Sequence, residues 1–290
     1  HNRCLGDLLG LHERFAKAVG GTRAASALLA AAELAADELG EPARALELRQ
    51  EAARLDPSNT DVLRLLLSDA RARGDVPAAI AQLRALAAAP LDETARAGVV
   101  LELALALEQQ GDLDAATEAL SGLRAAGPSA AGYTQALEHL ARLAQLKGDP
   151  VALAEVQVAQ AELLQAGARL ARLLAAAGSL VKAQQWARAE AVLRDALAAG
   201  PSAEARALLV DVYRQSRRDD VLGPALLELA GATEGDARSQ AWLEAIDVFE
   251  RSGQTRQAVA TLDLLLAEAP GAVTPDATAG YLRVTHLPNR

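Results

Sequence analysis

Ser239-Gln-Ala-Trp-Leu-Glu-Ala-Ile-Asp-Val-Phe-Glu-Arg-Ser-Gly-Gln-Thr-Arg-Gln-Ala-Val-Ala-Thr-Leu-Asp-Leu-Leu-Leu-Ala-Glu-Ala-Pro270 decides the fold. Two apolar-periodic segments flank Ser252-Gly253-Gln254, and Pro270 closes the second. Trp242, Ala245, Ile246 and Phe249 share one helical face, and Ala258, Leu262 and Leu265 share another. Each helix has one apolar stripe, so the pair has to stack on something like itself. Trp242 is expected to be buried, and Trp186, at a helix start, only partly so.

The same pattern recurs in both directions along the chain. Leu63, Leu66, Leu67 and Ala70 lead to Gly74-Asp75, then Ala79, Leu83 and Pro90. Val100, Leu103, Ala104 and Leu107 lead to Gly111-Asp112, then Ala116, Leu120 and Pro128. Leu173, Ala176, Ala177 and Leu180 lead through Gln184-Gln185 to Ala189, Leu193 and Pro201. Two units are degraded. Around Gly148-Asp149 the second helix carries Leu153 and Gln157 without a closing proline, and beyond Tyr213 the pair Gly223-Pro224 is expected to interrupt the second helix. Seven units of roughly 35 residues fit between 26 and 270, the period of a stacked helical array.

The spacing resembles the tetratricopeptide repeat: a large residue, a Leu-Gly-like pair, an aromatic-like site, a small residue after the turn and a final proline. The unit 242–270 matches at nearly every site; elsewhere Ala104, Ala141 or Ala177 replaces the Gly, and Leu or Ala fills most aromatic sites. The expected fold class is all-α, and the resemblance implies a right-handed α-solenoid of antiparallel helix pairs. Residues 1–22 read as the second helix of a preceding incomplete repeat, with Leu5, Leu8, Leu11 or His12, and Phe15 on its apolar face. Residues 26–270 hold the seven repeats, and 271–290 read as the first helix of a following repeat or a cap. With no methionine and a start at His1, the chain reads as a segment of a longer one, and its Ala/Leu/Arg-rich composition suggests a bacterial source.

Composition narrows function. Apolar residues make up 51% and aromatics 2%, so Leu, Ala and Val must build the core. The net charge of -9 argues against a nucleic-acid groove or an anionic membrane surface as main partner. No apolar run reaches the roughly 18 residues of a membrane span. His1, His12, His139 and His286 fall in different units, and His12-Glu13 lacks the second histidine of a zinc helix. Gly122-Leu-Arg-Ala-Ala-Gly127-Pro-Ser129 imitates a phosphate loop by spacing, but it lacks the lysine and follows a helix. Arg217-Arg218-Asp219-Asp220 reads as a solvated turn. No catalytic residue, cofactor or metal is expected.

Function is therefore expected from shape. The resemblance implies a concave groove lined by first helices, holding a peptide or protein. Candidate groove residues are Arg64, Arg71, Leu101, Leu105, Arg142, Leu174, Val181 and Arg214, with Asp247 and Glu250 at the acidic end. The helix 99–107 is apolar on nearly every side, and Leu101 and Leu105 are its two residues pointing to the groove. Family members that hold chaperone C-termini use Lys and Asn there; Arg64 and Ser68, Leu101 and Leu105, and Glu138 and Arg142 stand at the matching sites, so that clamp is absent. The alternatives are a regulatory or targeting segment of a larger enzyme or sensor, and a structural element of a bacterial envelope secretion or motility assembly. Self-association stays open, as do cytoplasm and periplasm.

Overall fold

A computed structural model describes residues 2–268, and these form α-helices joined by short turns, with no strand among the described residues. The chain divides into two compact units at Leu143/Ala144, inside the helix α8 (Tyr133–Lys147). The first unit holds α1 (Asn2–Val19), α2 (Gly21–Glu33), α3 (Pro42–Leu55), α4 (Thr60–Ala72), α5 (Val76–Ala88), α6 (Glu93–Gln110) and α7 (Leu113–Ala125). The second holds α9 (Pro150–Glu162), α10 (Ala166–Lys182), α11 (Trp186–Ala199), α12 (Ala203–Gln215), α13 (Asp219–Gly231), α14 (Gly235–Arg251) and α15 (Thr255–Glu268). In each unit, helices adjacent in sequence pack on each other. The segment 269–290, with Pro270 and the expected following helix, lies outside the described residues.

One backbone device folds the helix pairs back. At Gly74, Gly111, Gly148, Gln184, Arg217 and Gly253 the residue after the first helix is left-handed, with φ between 56° and 86°. The next N–H then reaches the carbonyl five residues back: Asp75 to Ala70 at 2.9 Å, Asp112 to Leu107 at 3.0 Å, Gln185 to Leu180 at 2.9 Å and Gln254 to Phe249 at 2.8 Å. This Schellman geometry satisfies helix-end carbonyls and starts the second helix after two residues. Asp75, Asp112 and Asp149 also accept backbone N–H bonds from Ala78, Ala115 and Ala152, each an N-cap in the first turn of the next helix. The acid at these turns therefore acts as a hydrogen-bond cap, beyond its favourable charge at a helix start. Gln185 and Arg218 make no such side-chain bond.

The small sites are buried in their helix pairs. Ala104, Ala116, Ala177 and Ala189 are at most 2% exposed. Trp242 is buried and Trp186 half-buried, as the pattern requires. Glutamine at the position equivalent to Leu120 is accommodated at Gln157, which is buried and accepts from the Ser179 hydroxyl at 3.3 Å.

One local reading changes: Gly223-Pro224 does not interrupt α13, which runs unbroken with Pro224 inside it. The proline lies near the helix start, where its missing N–H leaves only the carbonyl of exposed Asp220 without its helical donor, within reach of water. Gly223 is there for close approach: a Cβ would lie 2.4 Å from the Phe249 ring, itself fully buried. The helix α2 passes directly into a π-helical turn over Leu34–Glu38. Gly40 is left-handed, yet the Glu41 N–H reaches the Ala35 carbonyl at 2.7 Å, six residues back, so the π turn absorbs one extra residue. The apolar face of α1, the helix read from the sequence as the second of a preceding incomplete repeat, is largely open. Leu8, Leu11 and Phe15 are 41%, 55% and 51% exposed, and Ala16 is the helix's buried residue.

Two substitutions test these contacts by thermal or urea unfolding. Gly223→Ala should destabilise by roughly 1–3 kcal/mol, because Phe249 has no room to retreat. Gln184→Gly should stabilise by about 1 kcal/mol, since it removes a side chain from left-handed backbone.

Candidate functional site

Leu105 sits on α6, a helix whose Leu103, Ala104 and Leu107 are committed to the core. One turn either side, Leu101 is half-buried and Leu105 is 38% exposed. Leu105 forms one wall of a cleft of about 380 Å³ with Glu102, Ala106 and Gln109. The other walls come from Arg71 at the end of α4, Gly74 in the turn, and Val76, Ala79 and Leu83 of α5. The left-handed turn at Gly74 brings Val76 beside the end of α4, and small residues at 79 and 106 leave the volume unfilled. The lining is mostly apolar, with one ion pair at its edge: Arg71 to Glu102 at 2.8 Å.

Two other candidate cations, Arg142 and Arg214, are similarly engaged. Arg142 of α8 pairs with Glu108 of α6, and its guanidinium lies 3.3 Å from His139 Nδ1. Arg214 of α12 grips Glu244 of α14 through two bonds of 2.9 Å and also pairs with Asp211. The bond to Glu244, above all, holds the Arg214 guanidinium above its ordinary pKa. These pairs link first helices of neighbouring helix pairs, so the arginines arrive already compensated. Arg64 is exposed on α4. Leu174 and Val181 of α10 are half-buried and packed on the core of the second unit. Asp247 and Glu250 are exposed on α14. Leu105, Arg71 and Glu102 are thus brought to one cleft, while Leu101 and Arg64 do not line it.

A polar cluster in the second unit was not legible as such. Glu190 of α11 is 8% exposed, and its carboxylate accepts from the Tyr213 hydroxyl at 3.0 Å, from Arg218 at 2.6 Å and from Arg194 at 2.6 Å. Arg218 also stacks on the Tyr213 ring, 5.3 Å from its centroid. The stretch 217–220 is therefore more than a solvated turn: Arg218 ties the α12–α13 turn to α11. Burial, more than any other cause, pushes the Tyr213 phenol above its ordinary pKa. The signal in the sequence was a Glu directly after the small-contact Ala189 and a Tyr at an aromatic-like site. Among the described residues no group of three or more His, Cys, Asp or Glu side chains is placed to hold a metal ion. Among the same residues no helix is long and apolar enough to cross a membrane.

Helix pairs folded over left-handed turns, with buried alanines at the small sites, are the arrangement that the resemblance implies. The fold is an all-α array of helix pairs, similar to that of tetratricopeptide repeat structures. Solved structures that this chain is similar to include a tetratricopeptide repeat protein from Parabacteroides merdae, at 13% identity and a TM-score of 0.36, covering 91% of this chain and 99% of that one. The structure of Naa15/Naa10 bound to HypK-THB matches at 13% identity and a TM-score of 0.47, over 91% of this chain and 39% of that one. The TPR2AB domain of yeast Sti1, in complex with pHSP90, matches at 14% identity and a TM-score of 0.31, over 90% and 98%. No protein-family profile matches the sequence, and no curated protein does.

The two polar systems should respond differently to mutation. Arg71→Ala should cost less than about 1 kcal/mol, and less still in high salt, because both partners are about half exposed. Glu190→Ala should cost roughly 1–3 kcal/mol, since it strips a buried hydroxyl and two guanidinium groups of their acceptor. Tyr213 gives a pH signature. Above the ordinary tyrosine pKa of about 10 the unfolded chain releases a phenolic proton that the folded chain keeps. The stability from this group is therefore full below about pH 10 and lost as pH rises through the native pKa. Tyr213→Phe should flatten that alkaline decline in denaturant melts.

Proposed function

We propose that the chain is a non-catalytic scaffold, seven helix-pair repeats over 26–270, which holds a segment of a partner protein on the face made by first helices. The observation that carries this reading is Leu105, an exposed leucine beside a mostly apolar cleft edged by the compensated pair Arg71–Glu102. Such a cleft suits one aliphatic or aromatic side chain of an extended or helical segment, with hydrogen bonds available from Gln109 and the rim. The ion pairs at Arg71, Arg142 and Arg214 leave little net positive charge to draw a polyanion, in keeping with the net charge of -9. Leu101, half-buried, and Arg64, exposed, belong to the proposed face of the first unit more peripherally, and Leu174 and Val181 lie on α10, a first helix of the second unit.

Peptides selected from a random display library against the 290-residue chain provide the probe. Leu105→Glu should weaken their binding at least about tenfold with the melting temperature nearly unchanged. Peptides indifferent to Leu105→Glu overturn the cleft as the docking point. A variant that unfolds shows that Leu105 belongs to the core, which overturns it too.

A further inference from the structure

The cleft beside Leu105 is lined by one more acid than base. Its charged side chains are Arg71 and Asp75, at the two ends of the α4–α5 turn, and Glu102 on α6. Arg71 Nη2 donates to Glu102 Oε2 at 2.8 Å, and since the two stand on opposite walls, this bond crosses the cleft. Asp75 Oδ1 accepts from the Ala78 N–H at 3.0 Å as the cap of α5. Among the described residues no hydrogen bond reaches Glu102 Oε1 or Asp75 Oδ2, and both side chains are exposed. Arg73, the other cation of the turn, is exposed and does not line the cleft. Glu108, one turn beyond Leu105, is already held by Arg142.

We infer, resting on the docking reading above, that the segment held in this cleft carries a lysine or arginine beside its apolar anchor. An apolar side chain that enters next to Leu105 brings its own neighbours in the segment to the rim, where Glu102 has an acceptor oxygen to spare. Arg71 competes for that carboxylate, and while it holds Glu102 it also bridges the cleft. Both members of the pair are about half exposed, so it is weak and opens at little cost. A ligand cation on Glu102 releases Arg71, and Asp75, four residues on and lining the same cleft, is the carboxylate left to receive it. Two cations then meet two carboxylates. An acidic ligand would instead bring a third carboxylate to one guanidinium, and like charges in contact are disfavoured. The net charge of -9 acts in the same direction, drawing basic segments towards the chain.

A random display library with leucine fixed at its centre, encoding the four charged residues equally and selected on the 290-residue chain, supplies the probe peptides. Those whose binding falls at least about tenfold in Leu105→Glu are the cleft ligands. Among them Lys and Arg within about four residues of the leucine should outnumber Asp and Glu at least about threefold. Against synthetic copies of these peptides, Glu102→Gln should weaken binding by about threefold or more. Asp75→Asn should do the same while keeping an oxygen to cap α5. Arg71→Ala should strengthen binding by a similar factor, because the competing cation is gone. Circular dichroism melts close to the parent's are expected for all three variants, since each side chain is exposed. If Asp75→Asn disturbs the cap, the other two variants decide alone. Cleft ligands with acidic or uncharged neighbours overturn the inference and leave the docking reading standing. Binding unmoved by Glu102→Gln or by a folded Asp75→Asn, or not strengthened by Arg71→Ala, has the same consequence. Selected peptides that all ignore Leu105, or no selected peptide at all, sink the docking reading and this one together.

Discussion

The left-handed residue between the two helices of a pair is the constraint on which the rest depends. It lets the chain reverse within two residues while the following N–H closes on a carbonyl five back. A reversal that short forces the paired helices into contact from the first turn onward, which is why alanine recurs at the small sites. The buried alanines Ala104, Ala116, Ala177 and Ala189 are consequences of the turn as much as causes of the packing. Where the turn is altered, its neighbours change with it. At Gly40 the bond reaches six back, and the helix before it relaxes into a π turn.

Close approach also explains the chemistry of the surfaces. When helix pairs stack tightly, side chains at the ends of first helices reach the next first helix, and Arg–carboxylate pairs such as Arg71–Glu102 and Arg214–Glu244 form there. They register neighbouring repeats more than they stabilise them, since exposed pairs are worth at most about 1 kcal/mol. The same stacking leaves a cleft wherever both walls are small. Ala79 and Ala106 open the space beside Leu105, whereas Leu174 and Val181 are drawn onto the second unit's core. An apolar residue facing the groove is thus available to a ligand only where its neighbours are too small to cover it.

The second unit replaces part of this scheme with a buried polar tie. At its turns Gln184 and Arg217 occupy left-handed backbone that glycine fills elsewhere, at a cost of about 1 kcal/mol each. Arg218, in the place that Asp fills in the earlier turns, cannot cap the next helix. It reaches Glu190 and the Tyr213 ring instead. Loss of the cap is offset by a three-donor contact on one carboxylate, and the turn remains anchored.

The sequence by itself determined the helices, their pairing and the turns. Those features follow from local rules: a 3.6-residue apolar period, glycine where φ must be positive, and alanine at the small sites. It also marked Leu105 as an apolar residue left over after the core positions were assigned, and it marked Arg71 beside it. Tertiary structure decided what local rules cannot express. Pro224 was tolerated because it stands near a helix start, and Gly223 was needed because Phe249 of the next helix lies against it. Arg218 found a buried partner 28 residues away. On α1 two apolar stripes lie about 100° apart, and periodicity ranks them equally. Only the position of α2 shows that Ala16 is covered while Leu8, Leu11 and Phe15 are left open, because burial belongs to the neighbour as much as to the residue.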